Sequence, residues 1–154
     1  MHLEEMYESS RKMMLKRNPA NTSIEYNLFH GTLTDSIESI CRFGFNRSYC
    51  GKNGVAFGQG VYFARDALYS DRYSRMCNPH QNANFNFIAN KGCSMILARV
   101  LVGIFQKGTP QMKDPERRND GNQFDSTVDD VSHPTIFVIY RDYRAYPNYI
   151  IHYT

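Results

Sequence analysis

Apolar residues recur along the chain with two different periods, and the changes between them mark out its elements. Between positions 3 and 16, Leu3, Met6, Tyr7, Met13, Met14 and Leu15 stand among charged residues. That spacing predicts a moderately amphipathic helix, ended by Asn18-Pro19. Residues 26–30 read as a short strand stopped at Gly31. A second helix opens at Asp35, with Glu38 three residues on as its capping-box partner. Ile37, Ile40 and Cys41 supply its apolar side, and Gly44 sits where a C-terminal glycine belongs. Residues 46–60, with glycines at 51, 54, 58 and 60, read as loop. A buried strand at 61–64 and a short helix at 66–73 follow. Residues 75–91 are rich in Asn and poor in aliphatics, a long stretch of the kind that is functional or mobile. SMILARVLVGIF (94–105) is the strongest strand signal. Polar residues fill 106–126, and strands are expected at 135–140 and 149–153. Strands dominate and helices lie mostly in the first half, so the class is α+β.

Length and composition narrow this pattern rather than change it. The 154 residues suit one domain spanning 1–154, with no repeat or linker, and 42% apolar content fills a single core. No apolar run approaches the roughly 20 residues of a membrane helix. The N-terminus carries Glu4 and Glu5 where a secretory signal needs a basic and then an apolar stretch. A membrane or exported protein is therefore not expected. The 18 Lys and Arg exceed the 15 Asp and Glu by only three. They are scattered, without the clustered footprint of nucleic-acid binding. Cys41, Cys50, Cys77 and Cys93 do not resemble a disulfide framework, which points to a reducing compartment, cytoplasm or nucleus. The 11 tyrosines and 10 phenylalanines come with no tryptophan. Tyrosine can stack on a flat ligand and bond it through the hydroxyl, and it also simply prefers strands.

Three short segments could carry chemistry. His30-Gly31-Thr32 ends a strand, where the imidazole can reach a ligand and the glycine lets backbone come close to it. Gly58-Gln59-Gly60 precedes a strand bearing Tyr62. The Rossmann glycine motif must follow a strand and open a helix, so that reading is ruled out. Ser70 and Tyr73 lie three apart on one helical turn and share a face. Cys77-Asn-Pro-His80 offers one metal-ligand pair where a structural zinc site needs two. No nucleophile motif is present.

In chain order, LFHGT (28–32), FGQGVYFARD (57–66), YSDRYS (69–74), ARVLVGIFQKG (98–108), FDSTVDD (124–130) and IFVIYRDYRAYPNYII (136–151) resemble the poly(ADP-ribose) polymerase family of ADP-ribosyltransferases. GFNRSYCGKN (44–53) looks most like its macrodomain-associated mono-ADP-ribosylating branch. The resemblance implies an α+β ADP-ribosyltransferase fold: two packed, mainly antiparallel sheets with a few peripheral helices. It implies NAD+ as substrate, no metal, protein acceptors that include the chain itself, no membrane, no direct nucleic acid, and a monomer. Family domains usually begin with a strand–helix–strand segment ahead of the helix at 3–16. On that comparison the chain reads as a fragment or as a compact variant.

The family's His-Tyr-Glu triad falls on His30, Tyr62 and Ile136. Isoleucine replaces the glutamate that the polymerases use to bond ribose and activate the growing polymer, and it offers neither charge nor hydrogen bond. The resemblance therefore implies transfer of one ADP-ribose unit without elongation. Carried over, Tyr73 and Tyr62 would flank nicotinamide, beside Ala64. The Gly31 backbone and Ser70 hydroxyl would hold its carboxamide, and His30 and Thr32 the adenosine-side ribose. Asn46, Arg47 and Tyr49 would cover adenine. An acceptor carboxylate would stand in for the missing glutamate. The alternative is a catalytically inactive module that binds nucleotide or protein partners.

Overall fold

The computed structural model describes residues 2–46, 56–76 and 93–153, with 73–76 described by backbone alone. Helix α1 (His2–Arg17) buries only Tyr7 and Met14, seven residues apart on one stripe. Met13 and Leu15, expected on its apolar side, are exposed. Strand β1 (Glu25–Gly31) leads to helix α2 (Thr34–Phe43). The expected capping box is not formed. Leu33 is the N-cap and makes no side-chain bond, which leaves Asp35 inside the first turn, where its charge still favours the helix N-terminus. Gly44 ends the helix at φ 85°, its N–H bonded to the Ile40 carbonyl at 2.8 Å, as the sequence pattern requires.

Strand β2 (Val61–Ala64) and helix α3 (Ala67–Met76) follow. The single strand expected at 94–105 is two, β3 (Cys93–Leu101) and β4 (Phe105–Lys107). The chain turns a corner between them because Gly103 adopts φ 59°. The Val102 and Gly103 N–H groups both donate to the Ile24 carbonyl. The Ile104 N–H is captured by the buried Asp125 carboxylate at 2.9 Å. Strand β5 (Ser126–Val128) lies beyond the polar stretch and was not expected. It is followed by β6 (Ile136–Ile139) and β7 (Ala145–Tyr153). β7 starts earlier than its apolar pattern suggests and runs through Pro147. It tolerates proline because it is an edge strand, with a register shift at Leu97/Ala98. Among the described residues, no helix is long and apolar enough to cross a membrane.

The strands form one sheet in the order β4-β5-β6-β2-β1-β3-β7. All pairings are antiparallel except β4 with β5. The α+β class and the mainly antiparallel pairing are as expected, but the two packed sheets are halves of one hydrogen-bonded sheet. The join between β1 and β2 is one residue pair wide, Phe29 with Ala64. That narrowness lets the halves fold over a common core. Phe105 of β4 and Ala145 of β7, from opposite edges, belong to the same apolar cluster as Leu28, Phe63 and Phe137. The Ser126 hydroxyl then closes β5 onto the Val102 carbonyl at 2.7 Å. At the far side, Arg99 lies between the rings of Tyr7 and Tyr146, 5.0 and 5.2 Å from their centroids, and pairs with Glu8 at 3.6 Å and Glu4 at 3.9 Å, so the one charge within the β3 apolar run meets both aromatic faces and carboxylates of α1.

Candidate active site

Strand pairing puts four of the candidates, Gly31, Tyr62, Ala64 and Ile136, on one face. In β2 and β6, Tyr62 lies opposite Val138 and Ala64 opposite Ile136. Val138 in turn lies opposite Thr127 of β5. Directly opposed residues share a face. Tyr62, Val138 and Thr127 therefore form one row across three strands, with Ala64 and Ile136 in the next row on the same face. Phe29 lies opposite Ala64, and Gly31, two residues further along β1, points to that same side. Helix α3 packs against β1, β2 and β3 and carries Ser70, which is buried. Tyr73 is on α3 one turn further on, and its side chain lies outside the described residues.

His30 belongs to the other face. Its ring meets Phe45 edge-on, centroids 5.0 Å apart, and lies 5.3 Å from that of Phe63. Its Nδ1 is 2.7 Å from the Tyr62 carbonyl. A carbonyl can only accept, so Nδ1 carries the hydrogen and donates, and Nε2 of the neutral ring is left as an acceptor. Burial pushes the imidazole pKa below its ordinary value, against the opposing pull of the Tyr62 bond. Burial thus favours the neutral ring, and the Tyr62 bond sets which nitrogen carries its hydrogen. The candidates bracket the end of β1, with His30 on one side and Gly31 and Tyr62 on the other. A long ligand reaching all of them must bend over that strand tip.

The close backbone approach foreseen at Gly58 and Gly60 is made to the protein itself. A Cβ on Gly58, at φ 131°, would overlap the Tyr140 hydroxyl. One on Gly60 would lie 2.6 Å from the Ile139 carbonyl oxygen. The Tyr62 hydroxyl receives the Phe57 N–H at 3.0 Å and donates to the Gly58 carbonyl at 2.8 Å. Tyr62 thus holds the turn that precedes its own strand.

Ile136 is buried, and its N–H donates to the Asp129 carboxylate at 3.1 Å. Asp129 also accepts the Thr135 N–H at 3.0 Å and the Thr135 hydroxyl at 2.5 Å. Burial works to raise its pKa, but these bonds outweigh it and hold the carboxyl below its usual range. With both oxygens engaged, Asp129 shapes the entry to β6 and does not replace a glutamate at 136. Thr32 is half-buried just past β1, and Asn46 is exposed beside Phe45. Arg47, Tyr49, Cys77 and His80 lie outside the described residues. Among the described residues, no group of three or more His, Cys, Asp or Glu could hold a metal ion. Sequence reasoning missed Thr127, Tyr140, Asp129 and Phe45. Thr127, Tyr140 and Phe45 act through partners distant in sequence and Asp129 through a loop six to seven residues long; the one local sign is a run of hydroxyl and carboxylate side chains inside FDSTVDD.

The whole chain, residues 1–154, matches the family model described as Poly(ADP-ribose) polymerase catalytic domain. It is 38% identical over 156 residues to "Protein mono-ADP-ribosyltransferase PARP12" of Mus musculus, an alignment covering 100% of this chain and 20% of that protein. It is 41% identical over 150 residues to "Protein mono-ADP-ribosyltransferase PARP14" of Homo sapiens, covering 94% and 8% respectively. Against "Protein mono-ADP-ribosyltransferase PARP11" of Mus musculus the identity is 36% over 152 residues, covering 92% and 46%. The chain thus spans less than half the length of each of these curated relatives.

Proposed function

The chain belongs to the poly(ADP-ribose) polymerase catalytic-domain family, and from that premise we propose that it transfers one ADP-ribose unit from NAD+ to a protein side chain. The observation that carries the reading is the site's third strand. Ile136 stands opposite Ala64, beside the Tyr62 row, and gives that face no side-chain carboxylate to activate a second ribose. The similar proteins named mono-ADP-ribosyltransferases agree with this.

In this reading nicotinamide lies between Tyr62 and Tyr73, with Ala64 beneath. Its carboxamide bonds the Gly31 backbone and the Ser70 hydroxyl. The fixed Nε2 of His30 accepts a hydrogen bond from the adenosine-side ribose, helped by Thr32. Asn46, Arg47 and Tyr49 meet adenine. The bond from nicotinamide nitrogen to ribose C1′ breaks, and its electron pair leaves with neutral nicotinamide. An acceptor carboxylate, from a target protein or from the chain itself, attacks the ribose cation and completes the new C–O bond. Holding the leaving ring and ribose in line supplies the acceleration that the missing glutamate does not.

The rival reading, a module that binds nucleotide without turnover, is favoured by that same isoleucine. The fixed His30 tautomer serves both readings, since an acceptor nitrogen at the strand tip would bond the ribose of a nucleotide with or without turnover. Intact mass after incubation with NAD+ separates the two. Added mass of one or a few ADP-ribose units, with phosphodiesterase digestion releasing AMP and no internal polymer product, is expected. No added mass on the chain or on a supplied protein substrate, despite thermal stabilisation by NAD+, would leave the binding module.

A further inference from the structure

Two buried polar side chains in the site's own sheet have no part in that chemistry. Thr127 and Tyr140 are 0% and 2% exposed. The Thr127 hydroxyl lies 2.8 Å from the Phe57 carbonyl and 2.8 Å from the Tyr140 hydroxyl. Tyr140 reaches the same carbonyl at 3.3 Å. Phe57 C=O can only accept, so the two hydroxyls form a chain that ends on it: Tyr140 donates to Thr127 and Thr127 to the carbonyl, or Thr127 donates to Tyr140 and Tyr140 to the carbonyl. The space around this carbonyl is closed as well. A Cβ on Gly108 would overlap the Phe57 oxygen, and one on Gly58 the Tyr140 hydroxyl. On its other side, residue 57 gives its N–H to the Tyr62 hydroxyl, which donates onward to Gly58.

The turn at 57–58 is therefore gripped by Thr127 of β5 and by Tyr140 just after β6 on one side, and grips the Tyr62 phenol on the other. We infer that Thr127 and Tyr140 are positioning residues for the nicotinamide wall. They fix the Phe57–Gly58 backbone, and through it the plane in which Tyr62 presents its ring. The inference rests on the reading that Tyr62 flanks nicotinamide. It deepens that reading by assigning the orientation of the ring to Thr127 on β5 and to Tyr140, the residue that follows β6. Row geometry supports the assignment, since Thr127 and Tyr62 face the same side with only Val138 between them.

The test uses the purified chain and two probes, benzamide for the nicotinamide end and ADP-ribose for the remainder. Thr127→Val removes the hydroxyl at nearly constant shape, and Thr127→Ser keeps it. Tyr140→Phe and Tyr62→Phe remove the other two hydroxyls. Thr127→Val and Tyr140→Phe are expected to weaken benzamide about fivefold, the scale of one hydrogen bond's net contribution. ADP-ribose affinity stays unchanged, and Thr127→Ser retains wild-type affinity for both probes. Thr127→Val added to Tyr62→Phe should weaken benzamide no further, because the grip acts through the Tyr62 hydroxyl. Unchanged benzamide affinity in Thr127→Val and Tyr140→Phe would overturn the inference. So would a parallel loss of both probes, the signature of a general structural role. A wild-type chain that binds neither benzamide nor NAD+ would overturn the functional reading and the inference with it. A wild-type chain that binds both, with insensitive variants, defeats the inference alone.

Discussion

Replacing Asp125 tests whether the corner between β3 and β4 is held by one buried carboxylate. Asp125 is fully buried. Its Oδ1 accepts Arg17 Nη2, and its Oδ2 accepts Asn18 Nδ2 at 2.7 Å and the Ile104 N–H at 2.9 Å. Asparagine has the same shape but one acceptor oxygen and one NH2 group. With its oxygen toward Asn18 and Ile104, the NH2 faces the Arg17 guanidinium; turned over, it faces two N–H donors. Either orientation sets donor against donor. Breaking a buried ion pair costs about 3–5 kcal/mol. Arg17, 30% exposed in its side chain, recovers part of that from water. Asp125→Asn should then cost about 2–3 kcal/mol, and Asp125→Ala, which strands all three donors, about 4 kcal/mol. For a domain of this size that lowers Tm by about 5–15 °C. Urea unfolding gives the free energies, and Arg17→Met in the Asp125→Asn background tests the coupling. The double variant should cost clearly less than the sum of the singles. Additive costs, or Asp125→Asn within 0.5 kcal/mol of wild type, roughly the scale of an ordinary surface change, would refute the reasoning. NAD+ affinity should not change at 25 °C, since the corner lies beyond the start of β1 and the site at its end.

Further expectations concern the site. His30→Ala should abolish ADP-ribose transfer while lowering Tm by only a few degrees, about 1–2 kcal/mol for a half-buried ring; undiminished transfer, read by intact mass, would remove His30 from the site. The folded pKa of His30 lies below its ordinary 6.5, so as pH falls below 6.5 the unfolded chain takes up this proton before the folded one. Stability should therefore drop through that acid window and carry no His30 contribution to its slope above it. His30→Gln should flatten that part of the urea-midpoint profile, and an unchanged slope would contradict the assignment. Gly58→Ala combines a left-handed backbone with overlap of the Tyr140 hydroxyl and should cost about 2–4 kcal/mol, checked by thermal melting. Ile136→Glu puts a carboxylate at a buried position and should lower stability by about 2–3 kcal/mol, with digestion still yielding AMP and no polymer product.

What the sequence revealed follows from the range of the interactions involved. α1, β1, α2, β2 and α3 were legible because helical and strand periodicity and glycine stops act over a few residues. The corner at 102–104 was not, since an apolar run continues straight through it. Its causes are the Gly103 conformation and a carboxylate more than 20 positions away in FDSTVDD. β5 was hidden for the same reason: its three residues include Ser126 and Thr127, polar side chains buried only because Val102 and Phe57 supply carbonyls for them. The family motifs picked out His30, Gly31, Tyr62, Ser70 and Ile136: His30 and Gly31 end β1, Tyr62 lies on β2, Ile136 lies opposite Ala64 on β6, and Ser70 lies on the helix packed against β1. They could not show that Gly58 and Gly60 serve packing against β6, because that close approach exists only after the strands have paired.

The arrangement also explains how an isoleucine can be tolerated at the third strand. A glutamate at 136 would face the same side as Ala64 and Tyr62, in a row already closed by buried apolar residues, so its charge would need a ligand or a donor to stay there. Isoleucine needs neither, and the strand keeps its place because Asp129 bonds the backbone N–H of Ile136 rather than its side chain. The backbone geometry of β6 is thus independent of what residue 136 can do chemically. The same division holds at β1 and β2. The His30 tautomer is fixed by a Tyr62 backbone carbonyl, and the Tyr62 ring by the backbone of residues 57 and 58. In the proposed reading, isoleucine at 136 leaves out one chemical step, activation of a second ribose, without loosening the groups that would orient the first. A site built this way should release nicotinamide and stop after one unit.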